Sequence, residues 1–103
     1  MNDTPLSDDE ISQAVVRLAG WTREKDELVK TYTFPDFRIA MAFMVKAGDE
    51  AELRDHHPAW TNVYNRVEVR LQTHSAGGKI TAKDTDLAGA FDQVASVITS
   101  SSA

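Results

Sequence analysis

Between Val67 and His74 the side chains alternate without a break: Val67, Val69, Leu71 and Thr73 share one parity, and Glu68, Arg70, Gln72 and His74 share the other. Successive residues of a strand point to opposite faces, so this stretch offers one apolar face to a core and one polar face to water. A sheet of that kind needs a covering layer on one side only. The stretch NVYNRVEVRLQTH (62–74) therefore reads as one strand of a half-covered antiparallel sheet.

The covering layer is present in the sequence as three amphipathic stretches. Ser7 and Glu10 form an S-x-x-E capping box, followed by Ile11, Val15 and Leu18 on one stripe and by Gly20 as a stop, which predicts a helix from Asp8 to Ala19. From Asp36 onward, Phe37, Ala40, Met41, Met44, Ala47, Gly48 and Ala51 recur with helical spacing and predict a core-facing stripe. Pro35 suits the entrance of that helix, and Pro58 steers His57 away from helical geometry, so the helix ends near Asp55. Gly48 inside it costs about 1 kcal/mol against alanine, which predicts a close neighbour there. Thr81 caps a last helix whose stripe is Leu87, Phe91, Val94 and Ile98, and the SSSA tail is expected to fray.

Between the first two helices, the β-branched and aromatic residues of Glu27 to Phe34 predict a strand. Trp21 and Thr22 predict a short strand before it, turning through Glu24 to Asp26. The order is helix, one or two strands, helix, strand, a further short strand, helix. The fold class expected is α+β: a small antiparallel sheet with helices packed on one face, a two-layer sandwich. The 103 residues suffice for one domain, residues 1–103, with an ordered core over about 6–98.

Composition narrows the function. With no cysteine, disulfides, thiolate zinc sites and cysteine nucleophiles are excluded. A formal net charge of −5 argues against direct binding of nucleic acid or an anionic membrane. The opening MNDTPLSDDE lacks the basic start and apolar run of a secretory signal, and no apolar stretch of about twenty residues exists to span a bilayer, so a cytoplasmic protein is expected.

The chemistry-bearing residues are Glu52, His56, His57, His74 and Asp84. Three histidines and a carboxylate can satisfy zinc. Adjacent histidines, however, point about 100° apart on a helix and to opposite faces of a strand, and the i, i+4 histidine pair of a zinc helix is missing. Proton transfer asks for less: an imidazole titrates near about pH 6.5, and two imidazoles in different surroundings can divide acid and base roles. Structural readings stand beside these. Thr81-x-x-Asp84 is itself a capping pattern, Glu52 reads as a solvated helix residue, and Trp60 and Tyr64 read as packing rather than pocket lining.

Glu52-x3-His56-His57-Pro58-x5-Tyr64-x9-His74-x9-Asp84 resembles the signature of the pterin-4a-carbinolamine dehydratases. TYTFPDFRIAMAFM resembles that family's F-x-F-x-D-F-x-x-A-x-x-F stretch, and HHPAWTNVYNRVEVRLQTH and KDTDLA look like its core. The resemblance runs from about Leu6 to Val97. It implies a hydro-lyase that removes water from a 4a-hydroxytetrahydropterin to give the quinonoid dihydropterin, with no metal and no organic cofactor, in the recycling of tetrahydrobiopterin. It implies His56, His57, His74 and Asp84 as catalytic residues, and Asp55, His56, His57, Thr73, His74 and Ser75 as substrate contacts. Among partners it implies a homodimer or homotetramer and an aromatic amino-acid hydroxylase in the same pathway. Related chains act as a transcription-factor dimerisation cofactor or look like an assembly chaperone, so a non-catalytic binding module is the alternative. Chaperone-like relatives are expected to lose the histidine cluster, which this chain keeps. The loop THSAGGKIT carries one extra residue near Lys79 relative to the commonest family pattern, placing a base where an apolar residue is expected.

Overall fold

The structure is a computed structural model and describes residues 4–101. In chain order it contains α1 (Asp8–Arg17), β1 (Thr22–Glu24), β2 (Glu27–Thr33), α2 (Phe37–Leu53), β3 (Ala59–Val63), β4 (Arg66–Leu71), a short 3₁₀ turn (His74–Ala76) and α3 (Ala82–Ser101). The strands form one antiparallel sheet in the order β1-β2-β4-β3. The fold is the expected α+β arrangement of a small antiparallel sheet and three helices.

The stretch 62–74 is not one strand. Asn62 and Val63 end β3, Tyr64 and Asn65 make a turn, and Arg66 begins β4, with Val63 paired to Arg66. The fourth strand thus precedes the clean one instead of following it. Tyr64 takes a positive φ of 53°, as two-residue hairpins require, but without the glycine that normally announces such a turn. Asn62 holds the turn by donating from Nδ2 to the carbonyls of Tyr64 (3.1 Å) and Arg66 (2.9 Å). Lys25, at φ 55°, plays the same part between β1 and β2.

Val67, Val69 and Leu71 are buried as the alternation demands, and Leu28, Tyr32 and Phe34 join them from β2 and its end. Over them lie α2 and α3, whose Phe43 and Phe91 are fully buried with ring centres 6.0 Å apart. Trp60 on β3 stacks on Phe91 at 5.9 Å, so it packs, as expected. Tyr64 does not pack; at the hairpin tip it is exposed. The buried stripe of α2 is Ala40, Phe43, Ala47 and Ala51. Phe37 and Met41, expected in that stripe, face outward with Val45, three residues four apart along one flank. Gly48 is not forced by crowding either: a Cβ there would meet Trp60 at an ordinary 3.9 Å.

One partly buried polar cluster had no sequence signature. Asp92 on α3 accepts from Trp21 Nε1 (3.1 Å), Lys30 Nζ (2.9 Å) and the Tyr32 hydroxyl, joining α3 to the sheet and to the start of β1. Burial, and then the hydrogen bond to Asp92, push the Tyr32 phenol well above its ordinary pKa of 10. No helix among the described residues is long and apolar enough to cross a membrane.

Candidate active site

The site grows from the way α2 stops. Arg54 caps the helix; the Asp55 N–H bonds to the Glu52 carbonyl (3.1 Å) and the His56 N–H to the Ala51 carbonyl (3.0 Å). These two bonds form a Schellman motif, which places a left-handed residue at the position that Asp55 occupies with φ 49°. An aspartate there is uncommon, because the left-handed region crowds a Cβ. The consequence is positional: the chain reverses sharply, and His56 turns back toward the start of α3.

There it meets Asp84. His56 Nε2 lies 2.6 Å from Asp84 Oδ1, with the two side chains 9% and 0% exposed. Asp84 Oδ2 accepts from the backbone N–H of Thr81 (2.9 Å) and from the Thr73 hydroxyl (2.8 Å). The bond from the Thr81 N–H is the return half of a capping box, while the Thr81 hydroxyl caps the next turn by accepting from the Lys83 N–H (3.2 Å). Capping and pairing with His56 thus coexist on one carboxylate, one oxygen for each. The helix amino end also favours the negative charge that burial would otherwise penalise.

The other two imidazoles stand at the rim. His57 is more than half exposed and lies 2.9 Å through Nε2 from Glu52 Oε1, so Glu52 is solvated, as expected, yet engaged. His74 opens the 3₁₀ turn beyond β4, not the strand end; it is exposed, and no carboxylate among the described residues pairs with it. Asp55, His56, His57, Thr73, His74 and Ser75 line one cleft of about 540 Å³, together with Gln72 and Lys83. That volume is typical of a small-molecule site. Asp84 sits behind the wall, reaching the cleft through His56. Among the described residues no three histidine or carboxylate side chains are placed to hold a metal ion.

Sequence reasoning missed Gln72, Lys83 and Thr81. Gln72 shares the polar parity of His74, and Lys83 follows the cap residue by two positions, so both were within reach of the strand and capping patterns. The hydroxyl of Thr81 had no signal beyond its capping role. The loop with the extra residue closes by the Thr73 N–H donating to the Lys79 carbonyl (2.8 Å). Lys79 does not fill an apolar position; its ammonium reaches Asp26 (3.1 Å) on the β1–β2 turn and holds that carboxyl below its ordinary range.

Two carboxylate-paired imidazoles, and a third that no carboxylate among the described residues partners, stand around one cleft, an arrangement equipped to donate a proton at one point and accept one at another. Residues 4–94 match the family described as Pterin 4 alpha carbinolamine dehydratase. A relative in Opitutus terrae that carries the same family's name is 55% identical over 91 residues, covering 88% of this chain and 94% of its own length. Another in Solibacter usitatus is 47% identical over 92 residues, covering 89% of this chain and 96% of its own. A crystal structure from Brucella melitensis, described as a transcriptional coactivator/pterin dehydratase, superposes with a TM-score of 0.86 at 36% identity, covering 89% of this chain and 99% of that one.

Proposed function

Because the chain belongs to the pterin-4a-carbinolamine dehydratase family, we propose that it removes water from a 4a-hydroxytetrahydropterin by histidine acid/base catalysis in the cleft described above. The observation that carries the reading is that imidazoles distant in sequence, His56 and His57 after α2 and His74 after β4, line the same cleft. Dehydration breaks the C4a–O bond and the N5–H bond and forms a C4a=N5 double bond, giving the quinonoid dihydropterin and water. The departing hydroxyl needs a proton, and N5 must lose one. One of the paired imidazoles, His56 or His57, gives its proton to the hydroxyl; a neighbouring carboxylate, Asp84 or Glu52, balances the charge of each ring while protonated. His74, which no carboxylate among the described residues partners, takes the proton from N5. Exchange with water then resets both rings. Asp55, Thr73 and Ser75 complete the walls against which the pterin is held.

The test is the ultraviolet decay of a 4a-hydroxytetrahydropterin with wild type and with His74→Ala. The wild type accelerates decay above the spontaneous rate, and His74→Ala loses roughly a hundredfold or more of that acceleration, the usual reach of one general acid or base. Full activity in His74→Ala removes His74 from the mechanism. No acceleration by the wild type leaves the binding-module reading, which the coactivator description of the Brucella melitensis structure favours as a second role.

The same reading includes assembly as a homodimer or homotetramer, in the recycling of tetrahydrobiopterin after an aromatic amino-acid hydroxylase. The outward stripe of Phe37, Met41 and Val45 on α2 supports assembly, because exposed apolar rows of this kind mark contact surfaces. A stable monomer at micromolar concentration in sedimentation would contradict it.

A further inference from the structure

We propose that the buried hydroxyls of Thr73 and Thr81 act through Asp84 to fix His56 in its Nε2–H form, leaving Nδ1 as the nitrogen at which that ring exchanges protons. The fixed tautomer rests on geometry alone; its catalytic meaning rests on the dehydratase reading.

The direction of each hydrogen follows from groups that have no choice. A backbone N–H can only donate, so Thr81 Oγ1 accepts from the Lys83 N–H (3.2 Å) and Asp84 Oδ2 accepts from the Thr81 N–H (2.9 Å). Thr73 Oγ1 lies 2.8 Å from Asp84 Oδ2 and 2.7 Å from Thr81 Oγ1. An ionised carboxylate has no hydrogen to give, so Thr73 directs its single hydrogen to Oδ2. The hydrogen between the two hydroxyls therefore comes from Thr81. The chain runs one way, from the first turn of α3 through Thr81 and Thr73 into the carboxylate.

Oδ2 then holds two donors, and Oδ1 is left facing His56 Nε2 at 2.6 Å. A carboxylate oxygen opposite a ring nitrogen requires the hydrogen to be on the nitrogen. Thr73, Thr81 and Asp84 are at most 1% exposed, so bulk water does not reach them to substitute for a missing hydroxyl. Protonating His56 leaves Nε2–H in place and adds the second proton at Nδ1. In both charge states the exchanging proton is the one on Nδ1. Thr73, which sequence resemblance offers as a substrate contact, thus has its hydroxyl committed to the carboxylate and is a positioning residue.

Nitrogen-15 spectra of histidine-labelled protein, recorded where the rings are neutral, read the tautomer directly and need no variant. His56 is expected to show a protonated Nε2 and a lone-pair Nδ1; a protonated Nδ1 overturns the proposal. In Thr73→Val, which keeps the shape and removes the hydroxyl, Oδ2 loses one of the two donors that hold the carboxylate with Oδ1 opposite the ring, so the single tautomer is lost and kcat falls roughly tenfold to a hundredfold. Thr73→Ser restores both. A Thr73→Val ring that stays Nε2–H overturns the role of Thr73 whatever happens to the rate. An Nε2–H ring in a wild type without dehydratase activity sustains the orientation and removes only its catalytic meaning.

Discussion

His56 and His57 are neighbours in the chain, and the same truncation at each separates a buried pair from an exposed one. Removing the His56 ring strips Asp84 Oδ1 of its partner in a place where the carboxylate side chain is 0% exposed and the ring 9%. Truncating one member of a buried, hydrogen-bonded pair costs about 3–5 kcal/mol. Against a total stability of roughly 5–15 kcal/mol for a domain, that is a large share. At about 4–8 °C per kcal/mol for a chain near this size, His56→Ala should melt at least ~12 °C below wild type. The His57–Glu52 contact, with side chains 58% and 81% exposed, belongs to the surface class worth about 0–1 kcal/mol, so His57→Ala should barely move the transition. Urea unfolding followed by far-ultraviolet circular dichroism, with midpoints compared at a common slope, measures both. Equal losses in the two variants, or a loss under about 1 kcal/mol for His56→Ala, would refute the placement of His56 and Asp84 as a buried pair. The double variant His56→Ala/Asp84→Ala should cost less than the sum of its parts, since the second change removes the stranded charge.

Asp55→Gly relieves the left-handed conformation at φ 49° and should stabilise the fold by about 1 kcal/mol, while KM rises if the carboxylate holds the pterin. Asp92→Ala strands the Trp21 N–H and the Tyr32 hydroxyl, costing about 3 kcal/mol in urea unfolding with kcat retained, since neither residue lines the cleft. The Tyr32 phenol binds its proton more tightly folded than unfolded, so its contribution is intact below pH 10 and is lost above it as pH rises. Stability should fall from that point with a slope approaching 1.36 kcal/mol per pH unit, and Tyr32→Phe should remove the slope.

Much of the layer arrangement was legible because it rests on periodicity. The parity of Val67, Val69 and Leu71 specified which face of β4 is buried, and the Leu87–Phe91 spacing did the same for α3. The hairpin at Tyr64 was illegible because its positive φ is held by Asn62 reaching two carbonyls, not by a glycine in the turn. The outward turn of Phe37 and Met41 was illegible because a stripe of helical spacing does not say which edge of it meets the neighbour; Phe43, one row over, takes that place. At the site, the motif named residues but not their depth. Nothing in the spacing distinguishes His56, behind which the chain buries a carboxylate, from His57 at the rim, because the distinction comes from the left-handed turn at Asp55.

The Asp84 carboxylate begins α3 with one oxygen and holds His56 with the other. A lineage that abandons the chemistry can therefore discard His57 or His74 at little structural cost, one substitution at a time. His56 and Asp84 have no such freedom: either change alone passes through a weakened intermediate, so drift should retain the couple long after the reaction is gone, or exchange both members nearly together. A descendant that has become purely an adaptor for another protein would be expected to carry this buried couple as a fossil beneath an altered rim.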